Sequence, residues 1–307
     1  MSNILDVSII IVNYNTKKLL QSCLSSIFDQ TKGILFEVIV SDNGSIDGSI
    51  EMIRTNFPKV TIIENNANLG FGAANNLGLK AAKGKYIFYL NSDTILLNNA
   101  IKIFFDYWET SVEKERIGTL GAMLLDSKLN FNTSYGNLPT AANELKYLRN
   151  CFLSSLYIKT IYSKFHKVNQ SKEFYGEVGY VMGADLFLRN DKNAKFDERY
   201  FMFYEESDLQ YFLKKENKKN LIIKGPKIIH LEGGSDNRSK LVYNFNNLTS
   251  IYYWESCILY LNKNSTDFKI VKKIFNRLKL IYLLPWNFSK SKIAIKKFRN
   301  AMESYKC

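Results

Sequence analysis

Apolar residues in the first 125 positions alternate between two periods. VSIIIVNY (7–14) is a continuous apolar run, as expected of a strand buried on both faces. KLLQSCLSSIFDQ (18–30) has apolar residues at 19, 20, 23, 24, 27 and 28, the stripe of an amphipathic helix. FEVIVSD (36–42) predicts a second strand, Asp47 a cap for a helix through Asn56, and KVTIIEN (59–65) a third strand. GAANNLGLKAAKG (72–84) is a small-residue helix closed by Gly84, and KYIFYL (85–90) is a fourth strand. A helix over 98–110 and the apolar segment IGTLGAMLL (117–125) follow. Strand-helix alternation of this kind predicts an α/β fold, a parallel sheet with helices on both faces.

Beyond 125 the pattern loosens. A helical or loop insertion is expected around 140–166; it contains His166, to which the sequence gives no function. EVGYVMGADLFLRN (177–190) reads as a strand, a Gly-Ala turn and more apolar structure. FDERYFMFYEESDLQYFLKKEN (196–217) leads into a helix beginning near Glu205, and NLIIKGPKIIHLEGGS (220–235) holds two short strands and a Gly-Gly loop. Residues 239–262 look helical and aromatic-rich, and 265–280 form a basic amphipathic helix.

The 307 residues, 46% hydrophobic, suffice for one large domain with an appendage. The four cysteines (23, 151, 257 and 307) are widely spaced, which argues against a disulfide framework or zinc site and for a reducing compartment. The opening MSNILDVSIIIVNYN has no basic leader and is expected to be a strand, not a signal peptide. No stretch approaches the roughly 18 apolar residues of a spanning helix. Charge is uneven: residues 263–307 hold twelve Lys/Arg against Asp267 and Glu303, leaving them +10 of the net +13.

Ligands of parallel α/β sheets bind beyond the carboxyl ends of the strands. Three polar clusters fall there: Asn13-Tyr14-Asn15, Asp42-Asn43-Gly44 and Asn91-Ser92-Asp93. Each alone is explained by a turn, because Asn, Ser and Asp bond their own backbone. Three on one edge favour a nucleotide-type crevice. Asn68-Leu69-Gly70-Phe71-Gly72 precedes a helix whose N-terminus can attract phosphate, or simply pack tightly. Glu205, Glu206 and Asp208 either favour a helix N-terminus or include a general base, with neighbouring carboxylates raising one another's pKa. His230 closes an apolar run and is either structural or a metal ligand.

The chain resembles the family 2 glycosyltransferases of GT-A fold, particularly bacterial rhamnosyltransferase-like members. The matching stretches are VSIIIVNYN (7–15), VSDNGSIDGS (40–49), NNANLGFGAANNLGLKAAKGKYIFYLNSDT (65–94), MGADLFLRN (182–190), FDERYFMFYEESDL (196–209) and the histidine of IIHLEGGS. The resemblance covers about 1–260 in order and leaves the tail uncovered. It implies a Rossmann-like, mostly parallel sheet and an inverting transfer of sugar from a nucleotide diphosphate to an acceptor hydroxyl. It also implies a divalent metal, Mg²⁺ or Mn²⁺. By motif position Asp42 grips the base, and a base N–H favours uridine or thymidine donors, dTDP-rhamnose first and UDP-hexoses next. Asn13, Asn68, Gly70, Asn75, Asn91 and Asp93 map to donor binding, Asp93 and His230 to the metal, Glu206 to the base, and Glu205 and Asp208 to acceptor or support. One of the family's two usual carboxylates after the fourth strand is the amide Asn91, which implies weaker metal affinity. Glu206 stands where the family commonly has Asp.

The expected organisation is a catalytic domain over 1–262, with a nucleotide-binding half (1–125) and an acceptor half (126–262), then a basic helical tail over 263–307. In KIVKKIFNRLKLIYLLPW (269–286), Ile270, Val271, Ile274, Phe275, Leu278 and Ile281 share one stripe with lysines opposite. That pattern fits a helix lying on an anionic membrane surface, or one packed on the protein with a solvated basic face. Nucleic acid accounts less well for the same charge. The expected setting is cytoplasmic, peripheral on the inner membrane face, with a glycan acceptor, lipid-linked acceptors included, in surface polysaccharide biosynthesis. The rivals are a non-catalytic nucleotide-sugar or glycan-binding module and a nucleotidyltransferase. The latter wants a Gly/Lys/Arg-rich loop after the first strand, where Asn13-Tyr14-Asn15-Thr16 stands.

Overall fold

The computed structural model describes residues 5–156, 173–231, 245 and 247–304. They divide between two compact units: Met1–Leu138 with Gln170–Arg199 and Glu205–Gly234, and Pro139–Asn169 with Tyr200–Tyr204 and Ser235–Cys307.

The first unit is built on strands β1 (Val7–Asn13), β2 (Phe36–Asp42), β3 (Thr61–Glu64), β4 (Tyr86–Asn91), β6 (Ile117–Ala122), β8 (Gly176–Val178), β10 (Asp185–Arg189) and β11 (Lys219–Ile223). They form one sheet in the order β3-β2-β1-β4-β10-β6-β11-β8. Pairing is parallel from β3 through β4, and the register sets Asn13 beside Asp42 and Val12 beside Asn91. Helices α1 (Lys17–Gln30), α2 (Ser49–Asn56), α3 (Phe71–Ala81) and α4 (Ala100–Thr110) make the crossovers. Asp47, one residue before the N-cap Gly48 of α2, accepts from Ser49 N at 3.0 Å and from Lys17 N at 2.8 Å, so its carboxylate ties the first N–H groups of two helices together.

The continuous apolar strands have the predicted cause. Val7, Ile9 and Ile11 pack in one layer with Leu20, Leu24 and Ile27 of α1 and Phe104 and Trp108 of α4. Ile10 faces the other layer with Ile87, Tyr89, Val181 and Phe196. Gly78 of α3 lets that helix close on β1: a Cβ there would lie 2.4 Å from Ile10 Cγ2.

The second half departs from the simple alternation. β10 runs antiparallel to both β4 and β6, so MGADLFLRN reverses direction in mid-sheet. Buried Asp185 accepts from Ala122 N at 2.6 Å across this junction, and burial pushes its carboxyl well above the usual range. A short antiparallel pair, β5 (Thr94–Leu96) with β12 (Ile228–His230), sets His230 opposite Thr94. Another joins β7 (Tyr135–Gly136) to β9 (Tyr180–Val181). Helix α6 (Glu205–Lys215) completes this unit.

The second unit contains α5 (Ala141–Leu156), α7 (Leu248–Asn264), α8 (Phe268–Tyr282) and α9 (Phe288–Glu303). α5 occupies the first part of the expected insertion; its remainder to 166, His166 included, lies outside the described residues, as does the Gly-Gly loop. Asn247 caps α7 through Thr249 N at 2.6 Å, and Asp267 caps α8 through Ile270 N at 3.0 Å. A 3₁₀ turn, Pro285–Asn287, separates α8 from α9, so the tail is two helices and not one. The expected membrane-facing stripe is corrected in part: Val271, Ile274, Leu278 and Ile281 are buried in the protein. An amphipathic period is the same whether its apolar face meets lipid or other helices. The 262/263 boundary drawn from charge falls within this helical unit, where α7 packs against α8 and α9.

Candidate active site

Asp42 ends β2 and has no exposed surface. Its Oδ2 accepts from Asn13 Nδ2 at 2.6 Å and its Oδ1 from Ser45 N at 2.7 Å. The carboxylate therefore locks the end of β1 to the loop after β2. Asn13 Oδ1 accepts from Thr16 Oγ1 at 2.6 Å, and that hydroxyl lies 2.9 Å from Ser92 Oγ. A chain of hydrogen bonds thus runs Asp42–Asn13–Thr16–Ser92 and ends beside Asp93. Thr16 occupies the N-cap position of α1 but does not cap it. Its hydroxyl is spent on this chain, which is why its position before a helix hides its role.

Asn43 continues the rim outward. Its Nδ2 donates to Gly70 O at 3.1 Å and to Asn68 Oδ1 at 3.3 Å, and its Oδ1 accepts from Asn65 at 2.9 Å. Asn68 also accepts from Gly70 N at 3.1 Å. Gly70, at φ +87°, makes the left-handed entry to α3. Asn68 and Gly70 are thus tied to the loop that follows β2. Asn75 is buried inside α3 and donates to Phe71 O at 3.1 Å, a bond within its own helix. Its neighbour Asn76, unnoticed in the sequence, exchanges hydrogen bonds with Phe196 backbone at 2.9 Å in both directions and reaches Glu198 at 3.0 Å.

Asp93 and His230, distant in sequence, meet because β12 pairs with β5. Leu231 N donates to Asp93 O at 2.9 Å, and His230 N to Leu125 O at 2.8 Å. The imidazole Nε2 then lies 3.2 Å from Asp93 Oδ1 and 3.5 Å from Asn91 Nδ2. His230 is 3% exposed, and its Nδ1 has no hydrogen-bond partner among the described residues. A carboxylate and an imidazole in contact suit a divalent cation. Among the described residues no group of three His, Cys, Asp or Glu that could hold a metal forms, and a cation held by these two side chains would take its remaining positions from phosphate oxygens and water. That donor set fits a cation shared with a diphosphate.

The acidic helix start is the third part. Phe203 and Tyr204 both have left-handed backbone, φ +72° and +68°, a costly conformation for aromatic residues. α6 begins immediately after them. Of its three first-turn carboxylates, Glu205 and Asp208 are buried, whereas Glu206 is partly exposed. A Cβ on Gly183 would lie 3.8 Å from Glu206 Cβ and 3.4 Å from the Phe71 ring. The next residue, Ala184, accepts from Asn91 N at 3.1 Å. The start of α6 at Glu206 thus passes close to Gly183, whose neighbour Ala184 is bonded to the end of β4 at Asn91. Gln210, one turn further, fixes α6: Nε2 donates to Val181 O at 2.8 Å, and Oε1 accepts from Val181 N at 2.7 Å and from Thr119 Oγ1 at 2.9 Å. A buried glutamine pairing with a strand's backbone leaves no sequence signature beyond its place on the helix's inner face.

Residues 8–113 match the model of "Glycosyl transferase family 2". A UDP-Glc:alpha-D-GlcNAc-diphosphoundecaprenol beta-1,3-glucosyltransferase of Escherichia coli is 36% identical over 125 residues, 37% of this chain and 49% of that protein, so the match spans about half the relative's length. An N-acetylglucosaminyl-diphospho-decaprenol L-rhamnosyltransferase of Mycobacterium tuberculosis is 24% identical over 244 residues, 75% of this chain and 77% of that one. A crystal structure of GalNAc-T7 with UDP, GalNAc and Mn²⁺ superposes with a TM-score of 0.59 at 14% identity, covering 99% of this chain and 57% of the other. At that identity the likeness shows the fold, which is GT-A.

Proposed function

Since residues 8–113 belong to glycosyl transferase family 2 and the fold is GT-A, we propose that this protein is an inverting, metal-dependent glycosyltransferase. It moves a sugar from a uridine or thymidine diphosphate to a hydroxyl of a glycan acceptor. The observation that carries the reading is the 3.2 Å contact of His230 Nε2 with Asp93 Oδ1, beside the hydrogen-bond chain that runs from Asp42 through Asn13 and Thr16 to Ser92.

Asp93 and His230 would hold a divalent cation, whose positive charge offsets the charge that grows on the departing diphosphate. Asn91 lies against the same imidazole and offers an amide to the donor. Asn68 and Gly70 shape the entry to α3, whose N-terminal N–H groups favour anionic phosphate. Glu206 takes the acceptor hydroxyl proton as the oxygen bonds to the anomeric carbon. The bond from that carbon to the diphosphate breaks on the opposite side, and its electron pair leaves with the phosphate oxygen. Displacement in line inverts the anomeric configuration. Buried Glu205 and Asp208 support the helix start and the acceptor side.

Asp42 is the base-gripping residue by motif, yet both its oxygens already accept protein hydrogen bonds. We therefore give it the role of fixing the base-binding wall, with any bond to the base ring using a remaining lone pair. The two relatives named above act by name on diphosphoundecaprenol- and diphospho-decaprenol-linked sugars, which supports a lipid-linked acceptor here, dTDP-rhamnose or a UDP-hexose as donor, and a role in surface polysaccharide assembly. No helix among the described residues is long and apolar enough to cross a membrane. We place the enzyme on the cytoplasmic face, held peripherally through its basic C-terminal helices.

A panel of nucleotide sugars, screened for Mn²⁺-dependent thermal stabilisation and then for release of the nucleoside diphosphate, tests the reading. Stabilisation by UDP- or dTDP-sugars with turnover supports it. Binding without turnover, unchanged in Glu206→Gln, would favour the sugar-nucleotide-binding module. Release of pyrophosphate from a nucleoside triphosphate would favour a nucleotidyltransferase.

A further inference from the structure

With the middle of α8's apolar stripe buried, its exposed apolar groups lie at its ends: Phe268 alone at the first residue, and a group of three around its C-terminus. Leu280 is 66% exposed, Leu283 47% and Trp286 55%, and all three fall at the last turn of α8 and the 3₁₀ turn that follows it. These large side chains recur every third residue along one elbow of the chain. Pro285 and the Asn287 side chain, which donates to Ile281 O at 3.0 Å, hold that elbow in shape. α9 then leads away with exposed Ile293.

Charge is concentrated on the two helices that meet at this elbow. Residues 268–303 contain ten Lys/Arg and one carboxylate, Glu303. Lys273, Arg277 and Lys279 on α8 and Lys292 on α9 are exposed, and none of them forms an ion pair among the described residues. An apolar tip bearing a tryptophan, flanked along both helices by exposed cations without ion-pair partners, has the make-up of an interfacial anchor: the ring and aliphatic groups enter the headgroup region while the cations meet anionic headgroups. A nucleic acid would use the charge but leaves Leu280 and Leu283 without purpose. We propose that the α8–α9 elbow, with Trp286, Leu283 and Leu280 at its tip, is the element by which this protein docks on an anionic lipid bilayer. It replaces the α8 stripe, and it does not depend on the transfer chemistry.

The protein carries its own reporter. Trp108 and Trp254 are buried at 1% and 0% exposure, so Trp286 alone of the three tryptophans is open to solvent. The full chain is titrated with vesicles of phosphatidylcholine and phosphatidylglycerol, with phosphatidylcholine alone, and with duplex DNA. The expected result is a blue shift of emission and quenching by brominated acyl chains on the anionic vesicles only, reversed by high salt. Arg277→Glu with Lys279→Glu should weaken vesicle binding by at least about fivefold per charge removed. Trp286→Ala with Leu283→Ser should abolish retention on vesicles while the melting temperature stays unchanged, since these side chains are exposed. UDP binding in solution should be unaffected by either pair, which separates failure here from failure of the transferase reading. Equal binding to neutral vesicles, no binding to anionic ones, a shift given by DNA alone, or full retention by both variants would overturn the proposal.

Discussion

Asp42→Asn separates a residue that holds the donor from one that holds the site. In the wild type, both donors to this carboxylate are hydrogen-bonded at 2.6 and 2.7 Å with no solvent access. An amide retains one acceptor and turns an N–H₂ toward either Asn13 Nδ2 or Ser45 N. One charge-assisted bond, worth about 1.5–3 kcal/mol, is lost, the other weakens, and a buried donor faces a donor. The expected destabilisation is about 2–4 kcal/mol, or a fall in Tm of roughly 5–15 °C. Because Asn13 is also released, the chain to Thr16 and Ser92 loosens and UDP affinity should fall with stability. Thermal unfolding and calorimetric UDP titration of both proteins below the variant's Tm are the assays. A variant with unchanged Tm and UDP affinity lost would refute the reasoning: Asp42 would then act on the base directly, with its internal bonds of no consequence.

Glu206→Gln should lower turnover by about 10²–10⁴ while UDP affinity stays within a small factor of wild type, checked by product release and titration; unchanged turnover would remove the base assignment. Gly78→Ala should cost about 1–3 kcal/mol in a denaturant melt, because its Cβ would fall 2.4 Å from Ile10 Cγ2 between α3 and β1. Glu144 on α5 is partly buried and accepts from Tyr253 Oη at 3.3 Å, and desolvation pushes its carboxyl above the usual 4.5. A raised carboxyl contributes stability that is full below pH 4.5 and is lost as pH rises through the folded value. Glu144→Gln, which keeps an acceptor, should flatten that decline in urea midpoints measured across pH.

The apolar runs at 7–13, 36–42 and 86–90 were legible as strands because each is buried on both faces, and the parallel order placed Asn13, Asp42 and Asn91 together. Asp93 was legible through its place after a strand. Its contact with His230 was not: it depends on β12 pairing with β5, and no local period encodes a pairing so distant in sequence. β10's reversal had no local signal either, since an apolar strand reads the same in both directions. Thr16 was concealed by an N-cap position it does not use, and Gln210 and Asn76 by looking like ordinary helix residues. The stripe over 270–281 is legible as one face of a helix, but periodicity reports that a face is buried without naming what buries it, so lipid and protein stay open until Val271, Ile274, Leu278 and Ile281 are found packed inside the protein.

On the proposed reading, Asp93 and His230 hold a cation for the donor's diphosphate. Calorimetric titration of UDP into wild type, Asp93→Asn and His230→Ala, each in Mn²⁺ and in chelator, tests it most directly. The expected result is at least tenfold tighter binding with Mn²⁺ in the wild type, with that gain lost in both variants and their chelator affinities near the wild-type value. Equal affinity with and without Mn²⁺ in the wild type, or a gain that survives in both variants, would contradict the account.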